Sequence, residues 1–183
     1  MKTYTQSFLV AVSAIFLISI LTQVTTSKLQ KLKQTNFDNP TATVAVREQQ
    51  LDCLAKNIYH EARSEPFEGK VAVAQVTMNR AANAGFPNDI CRVVYQKNIV
   101  YEKVICQFSW YCQNGGKPPI RSTAMYDESY KVAKKVLLED FRLDIMKDAL
   151  YYHADYVNPQ WGKEKIGKIG RHIFYRDNKN GKN

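Results

Sequence analysis

The order of polar and apolar positions divides the chain into stretches of different period, and each period predicts a different element. From Leu51 to Arg63 the apolar side chains fall at Leu51, Leu54, Ala55, Ile58, Tyr59 and Ala62, the spacing of one buried face of an amphipathic helix. Pro66 permits a new helical start, and Glu68 to Ala82 follows with Val71, Ala72, Val73, Ala74, Val76 and Met78. That segment is apolar on nearly every side, so it is expected at the centre of the domain. Gly85-Phe86-Pro87-Asn88 stops it, and Asn88 or Asp89 can cap a short helix through Tyr95. A further helix is predicted from Ser122 to Asp140, with Tyr126, Tyr130, Ala133, Val136 and Leu137 on one face and Lys131, Lys134 and Lys135 outward. Ile99 to Tyr111 is β-branched and aromatic and ends at Asn114-Gly115-Gly116, the pattern of a hairpin or small sheet forming one lip of a cleft. Lys168 to Tyr175 reads as a short terminal strand. The sum is one α+β domain, mostly helical.

The N-terminal segment is of another kind. Phe8 to Val24 holds no charge, Lys2 precedes it, and Thr25-Thr26-Ser27 offers small residues for cleavage. Residues 1–27 are therefore expected to be a signal peptide or a signal anchor, placing the remainder outside the cytoplasm and able to be tethered to a membrane. Residues 28–50 lack helical periodicity and read as a linker, with a strand at Thr43-Val44-Ala45-Val46 as the alternative. Residues 51–176 form the folded domain and residues 177–183 a polar tail.

Charge and cysteine content narrow the setting. The formal net charge is +9, and because residues 1–27 hold only one charge, Lys2, the remainder carries +8. Such a domain favours anionic partners: nucleic acid, anionic lipid or a cell-wall polymer. The lysines are scattered, without the basic-aromatic stripe of a nucleic-acid-binding module, and an exported chain fits that role badly. Cys53, Cys91, Cys106 and Cys112 make an even set, so disulfides are expected, in any of the possible pairings. No C-x-x-C occurs, and His153 with His172 lacks a convincing further ligand, so neither metal nor cofactor is expected.

Reactive side chains are densest in Asn57-Ile58-Tyr59-His60-Glu61-Ala62-Arg63-Ser64-Glu65-Pro66. Glu61 and Glu65 stand one turn apart on one helical face, with His60 and Arg63 beside them. A zinc-binding H-E-x-x-H would need histidine where Ser64 stands. A glutamate half sealed from water at the end of an apolar helix suits a general acid instead, because desolvation raises its pKa towards working pH. The alternative for either glutamate is an ion pair with Arg63 or a lysine.

Several motifs in order carry a family resemblance. Glu61-Ala62-Arg63-x-Glu65-Pro66, Gly69-x-x-Ala72-Val73-Ala74-x-Val76, Asn79-Arg80, Phe86-Pro87, Ile90-Cys91-x-Val93-Val94-Tyr95-Gln96 and Gln107-Phe108-Ser109-Trp110 come first. Ala149-Leu150-Tyr151-Tyr152-His153-Ala154, Pro159-x-Trp161 and Ile169-Gly170-x-His172-x-Phe174-Tyr175 follow. Together they resemble the SleB/CwlJ-type cell wall hydrolases, which include spore cortex-lytic enzymes. The resemblance implies a lysozyme-like, lytic transglycosylase-like core, a peptidoglycan glycan substrate and a catalytic glutamate matched by Glu61.

On that resemblance, Gln107, Ser109 and Trp110 are candidates for gripping sugar rings and N-acetyl groups, with Tyr152, His153 and Trp161 behind them. Glu65 is the candidate second carboxylate for a hydrolytic muramidase; Glu68, Glu102 and Asp155 are also available. A lytic transglycosylase needs no second carboxylate, because the muramic acid C6 hydroxyl is its nucleophile. The protein is expected to work as a monomer on glycan strands, and a catalytically silent wall-binding module is the competing reading.

Overall fold

The computed structural model describes residues 18–20, 22, 23, 25, 26, 40–113 and 118–178. The chain divides into two compact units, Met1–Val46 and Arg47–Asn183. In the first unit, residues 18–26 are helical and exposed where described, with the Thr22, Thr25 and Thr26 hydroxyls bonded back to carbonyls of the preceding turn. Among the described residues no helix is long and apolar enough to cross a membrane. The charge-free stretch expected to direct export falls largely outside the described residues.

Helix α1 spans Pro40–Ala62 and starts well before the Leu51 that periodicity predicts. Residues 43–49 are all exposed, so no buried face imposes a spacing there, and proline is tolerated in a first helical turn. The stretch read as a linker or strand is thus helical from Pro40 onward. From Leu51 the buried face begins: Leu51, Leu54, Ala55 and Ile58 are fully enclosed. Helix α2, Phe67–Ala82, is the central element, with every side chain from Gly69 to Thr77 buried. It divides the core, one cluster lying towards α1, α3 (Ile90–Val94) and α5 (Thr123–Leu138). The other cluster joins Ala72, Val73 and Val76 to Met146, Ala149 and Phe174. Asp89 caps α3 by accepting from the Arg92 N–H, and Ser122 caps α5 by accepting from that of Met125.

Two antiparallel sheets complete the fold. Strands β1 (Lys97–Val100) and β2 (Lys103–Cys106) form a hairpin whose turn residues, Tyr101 and Glu102, both have positive φ. This hairpin projects into solvent, with Tyr101 95% exposed. It does not form the expected lip; that comes from the segment after it, where helix α4 spans Ser109–Cys112. Strands β3 (Tyr151–Ala154), β4 (Glu164–Ile169) and β5 (His172–Arg176) pair in the order β3-β5-β4. The terminal strand expected over Lys168–Tyr175 is instead a tight hairpin, because Gly170 takes φ +57° and reverses the chain. Disulfides join Cys53 to Cys91, tying α1 to α3, and Cys106 to Cys112, closing the segment from β2 to α4.

Candidate active site

The C-terminal turn of α1, helix α4, the loop before α5 and the edge of β3 enclose a cleft of about 660 Å³. Glu61 is in its wall and is the only carboxyl group among its described lining residues. The phenol of Tyr152 donates to Glu61 Oε2 at 3.0 Å. Burial raises the Glu61 pKa, while the Tyr152 hydrogen bond and the positive charge of Arg80 pull it partly back. Burial and the neighbouring carboxylate raise the Tyr152 pKa well above its ordinary value, so the phenol stays a donor.

Arg80, on α2, is itself buried and donates from Nε to the Leu150 carbonyl at 2.8 Å. Its guanidinium lies over the rings of Phe86 and Phe108. Phe108 accordingly packs in the core, and Arg80 helps fix the start of the strand that carries Tyr152.

The opposite wall is aromatic and is set by α1 through one buried amide. Asn57 donates to Thr77 Oγ1 at 3.1 Å and accepts from Trp110 Nε1, also at 3.1 Å. Trp110 is thereby held against His60, the rings stacking at 4.4 Å between centroids. Burial, with Arg63 and Lys56 nearby, pushes the His60 pKa down to about 4, so this imidazole is neutral near pH 7. Tyr59 accepts at its hydroxyl from the backbone N–H groups of Arg121 and Ser122, at 3.0 and 3.2 Å, and so holds the loop that forms the far rim. Arg63 and Arg121 bring positive charge to that rim.

The residues singled out from the sequence separate cleanly. Glu61, Ser109, Trp110, Tyr152 and His153 all line the cleft. Gln107 does not; its backbone N–H donates to the Gln96 carbonyl beside the projecting hairpin. Trp161 is not in the lining either and packs against His153, Tyr151 and Tyr175. Glu65 faces away to the turn between β4 and β5, where Arg171 donates from its backbone N–H to Oε2 at 2.8 Å and from Nε to Oε1 at 3.0 Å. Burial raises the Glu65 pKa, but these bonds from Arg171 outweigh it and the net shift is downward. Asp155 is paired with Lys168 at 2.7 Å, and Glu102 sits in the solvent-facing turn. Arg80 and Tyr156 also belong to this site, and in the sequence only the Asn79-Arg80 motif points to the first and nothing to the second. Among the described residues no cluster of histidine, cysteine or carboxylate side chains could hold a metal ion.

Comparison with known proteins fits this architecture. The spore cortex-lytic enzyme of Bacillus subtilis is 31% identical over 134 residues, covering 66% of this chain and 35% of that protein. The spore cortex-lytic enzyme of Bacillus cereus is 30% identical over 128 residues, covering 68% of this chain and 43% of its own length. This chain thus spans less than half the length of these relatives. The crystal structure of the catalytic domain of the Bacillus cereus SleB protein superposes with a TM-score of 0.52 at 25% identity, covering 70% of this chain and 91% of that one. The α+β fold is therefore that of a SleB catalytic domain. The profile described as cell wall hydrolase matches residues 64–175, taking in Trp110 and Tyr152 and beginning just after Glu61. Because that match spans more than half of the sequence, the chain belongs to the cell wall hydrolase family.

Proposed function

We propose that this protein cuts the peptidoglycan backbone between N-acetylmuramic acid and N-acetylglucosamine as a lytic transglycosylase, with Glu61 as its single acting carboxyl group. The observation that carries this reading is the isolation of Glu61: among the described residues it is the cleft's only carboxyl, and its pKa is raised by burial. A raised pKa keeps a larger share of the group protonated near neutral pH, as a general acid requires. Tyr152 occupies Oε2, which leaves Oε1 to carry the proton.

In the reaction, Glu61 gives its proton to the glycosidic oxygen as the bond from muramic acid C1 to that oxygen breaks. The oxocarbenium-like centre forms beside the new carboxylate, which stabilises it. The muramic acid C6 hydroxyl then bonds to C1, and its proton returns to Glu61. No water is consumed, and the product is a 1,6-anhydro sugar. The neutral His60 ring, backed by the buried Trp110, offers an apolar surface to the sugar, while Arg63 and Arg121 suit the lactyl and stem-peptide carboxylates of the strand. Family membership and the +8 charge of residues 28–183 agree with action in the cell envelope or outside the cell.

The test is mass spectrometry of fragments released from purified peptidoglycan, with Glu61→Gln as control. Anhydro-muramic products that vanish in the control are expected. Reducing-end muramic acid would mean hydrolysis, and no release by the parent protein would favour a binding module.

A further inference from the structure

The outer face of the β3-β5-β4 sheet carries rings that the cleft chemistry does not use. Strand alternation puts Tyr152 and its partner Phe174 on the inner face, Phe174 being fully buried. Tyr151, His153 and Tyr175 therefore share the outer face, and Trp161, from the loop before β4, packs across them. Its indole centroid lies 5.4 Å from His153, 5.8 Å from Tyr175 and 6.4 Å from Tyr151, in edge-to-face contact with each. Trp161 is nonetheless 43% exposed.

The cluster is rigid before any ligand arrives. His153 donates from Nδ1 to the Ala154 carbonyl at 2.8 Å, which fixes its tautomer, so Nε2 accepts from the Tyr175 hydroxyl at 2.9 Å. Tyr151 donates to Asp177 at 3.1 Å, and Lys163 donates to the same carboxylate at 2.6 Å. An exposed indole on half-buried rings, beside fixed polar side chains, suits a pyranose ring, which has apolar C–H faces and an equatorial rim of hydroxyl and amide groups. The cluster is also continuous with the cleft: His153 belongs to both. At its other end, Asp177 lines a separate cavity of about 440 Å³ with Asn79, Asn83, Lys147 and Arg176.

We propose that this surface, centred on Trp161, is a second glycan-binding site that holds the peptidoglycan strand where it leaves the cleft past His153. The identity of the ligand rests on the glycan reading of the cleft; its measurement does not depend on catalysis. A polymer long enough to occupy both surfaces gains effective concentration at Glu61 from the second contact.

The experiment is sedimentation of the full chain, carrying Glu61→Gln so that the polymer stays intact, with insoluble purified peptidoglycan. Adding Trp161→Ala is expected to weaken binding roughly tenfold, and Trp161→Tyr to restore most of it, while soluble N-acetylglucosamine oligomers release the bound protein. Equal binding by the Trp161→Ala protein and its parent, or no binding by the parent, overturns the proposal. So does retention that saturating oligomer does not reverse, or self-association that Trp161→Ala abolishes, which would make the occupant a second copy. Failure of the catalytic reading shows separately, as fragment release that survives Glu61→Gln.

Discussion

Glu61 and Glu65 lie one helical turn apart in sequence, yet the regions that receive them make opposite groups of them. At the cleft wall, Glu61 is met by a neutral phenol, and burial raises its pKa. At the corner between α1 and α2, Glu65 is also shielded from solvent but is gripped by a backbone N–H and a guanidinium, both from Arg171, which lower its pKa. Burial alone therefore does not decide which carboxyl can act as an acid. The donors around each do, one phenol meeting Glu61 where a backbone N–H and a guanidinium together meet Glu65.

The comparison is broken most severely by Glu61→Gln. Turnover on peptidoglycan should fall by roughly 10²–10⁴-fold, the usual contribution of a general acid, with the melting temperature retained. On the Glu65 side, Gly170→Ala should have the largest structural effect. A Cβ there would lie 2.0 Å from Glu65 Oε2, at a positive φ that alanine resists, so a loss of about 2–4 kcal/mol in denaturant unfolding is expected. Glu65→Gln removes the charge but keeps the shape; since Arg171 is largely exposed, the loss should be only about 1–2 kcal/mol, with anhydro product still formed.

Tyr152→Phe sharpens the other side. Its hydrogen bond lowers the Glu61 pKa, so its removal should move the alkaline limb of the pH–rate profile upward and change the maximal rate by roughly tenfold or less. The pH dependences of the two regions also run oppositely. Activity falls as pH rises through the elevated Glu61 pKa. The Glu65 contribution to stability is fully present above the unfolded-state carboxyl pKa, about 4.3, and is lost as pH falls through its lower folded value.

Much of this could be read from the sequence, for identifiable reasons. The buried face from Leu51 and the all-round burial of α2 are visible because packing imposes a period on side chains. The start of α1 at Pro40 is not, since its exposed residues answer to no neighbour. The position of Glu61 followed from helix geometry and the motif around it. The separation from Glu65 did not, because it depends on Gly170 and Arg171, which are distant in sequence and meet Glu65 only through the β4–β5 turn. Gln107 and Trp161 show the same limit: a motif names residues near a site, while the path of the connecting segment that carries each decides whether it reaches the cleft.

The central claim, that two carboxyl groups one turn apart have their pKa values shifted in opposite directions by their surroundings, is tested most directly by carbon-13 NMR titration of the glutamate side chains in the full chain. Assignment comes from Glu61→Gln and Glu65→Gln. The account predicts that Glu61 titrates above the ordinary glutamate value and Glu65 below it. A Glu61 that titrates at or below Glu65 would contradict it.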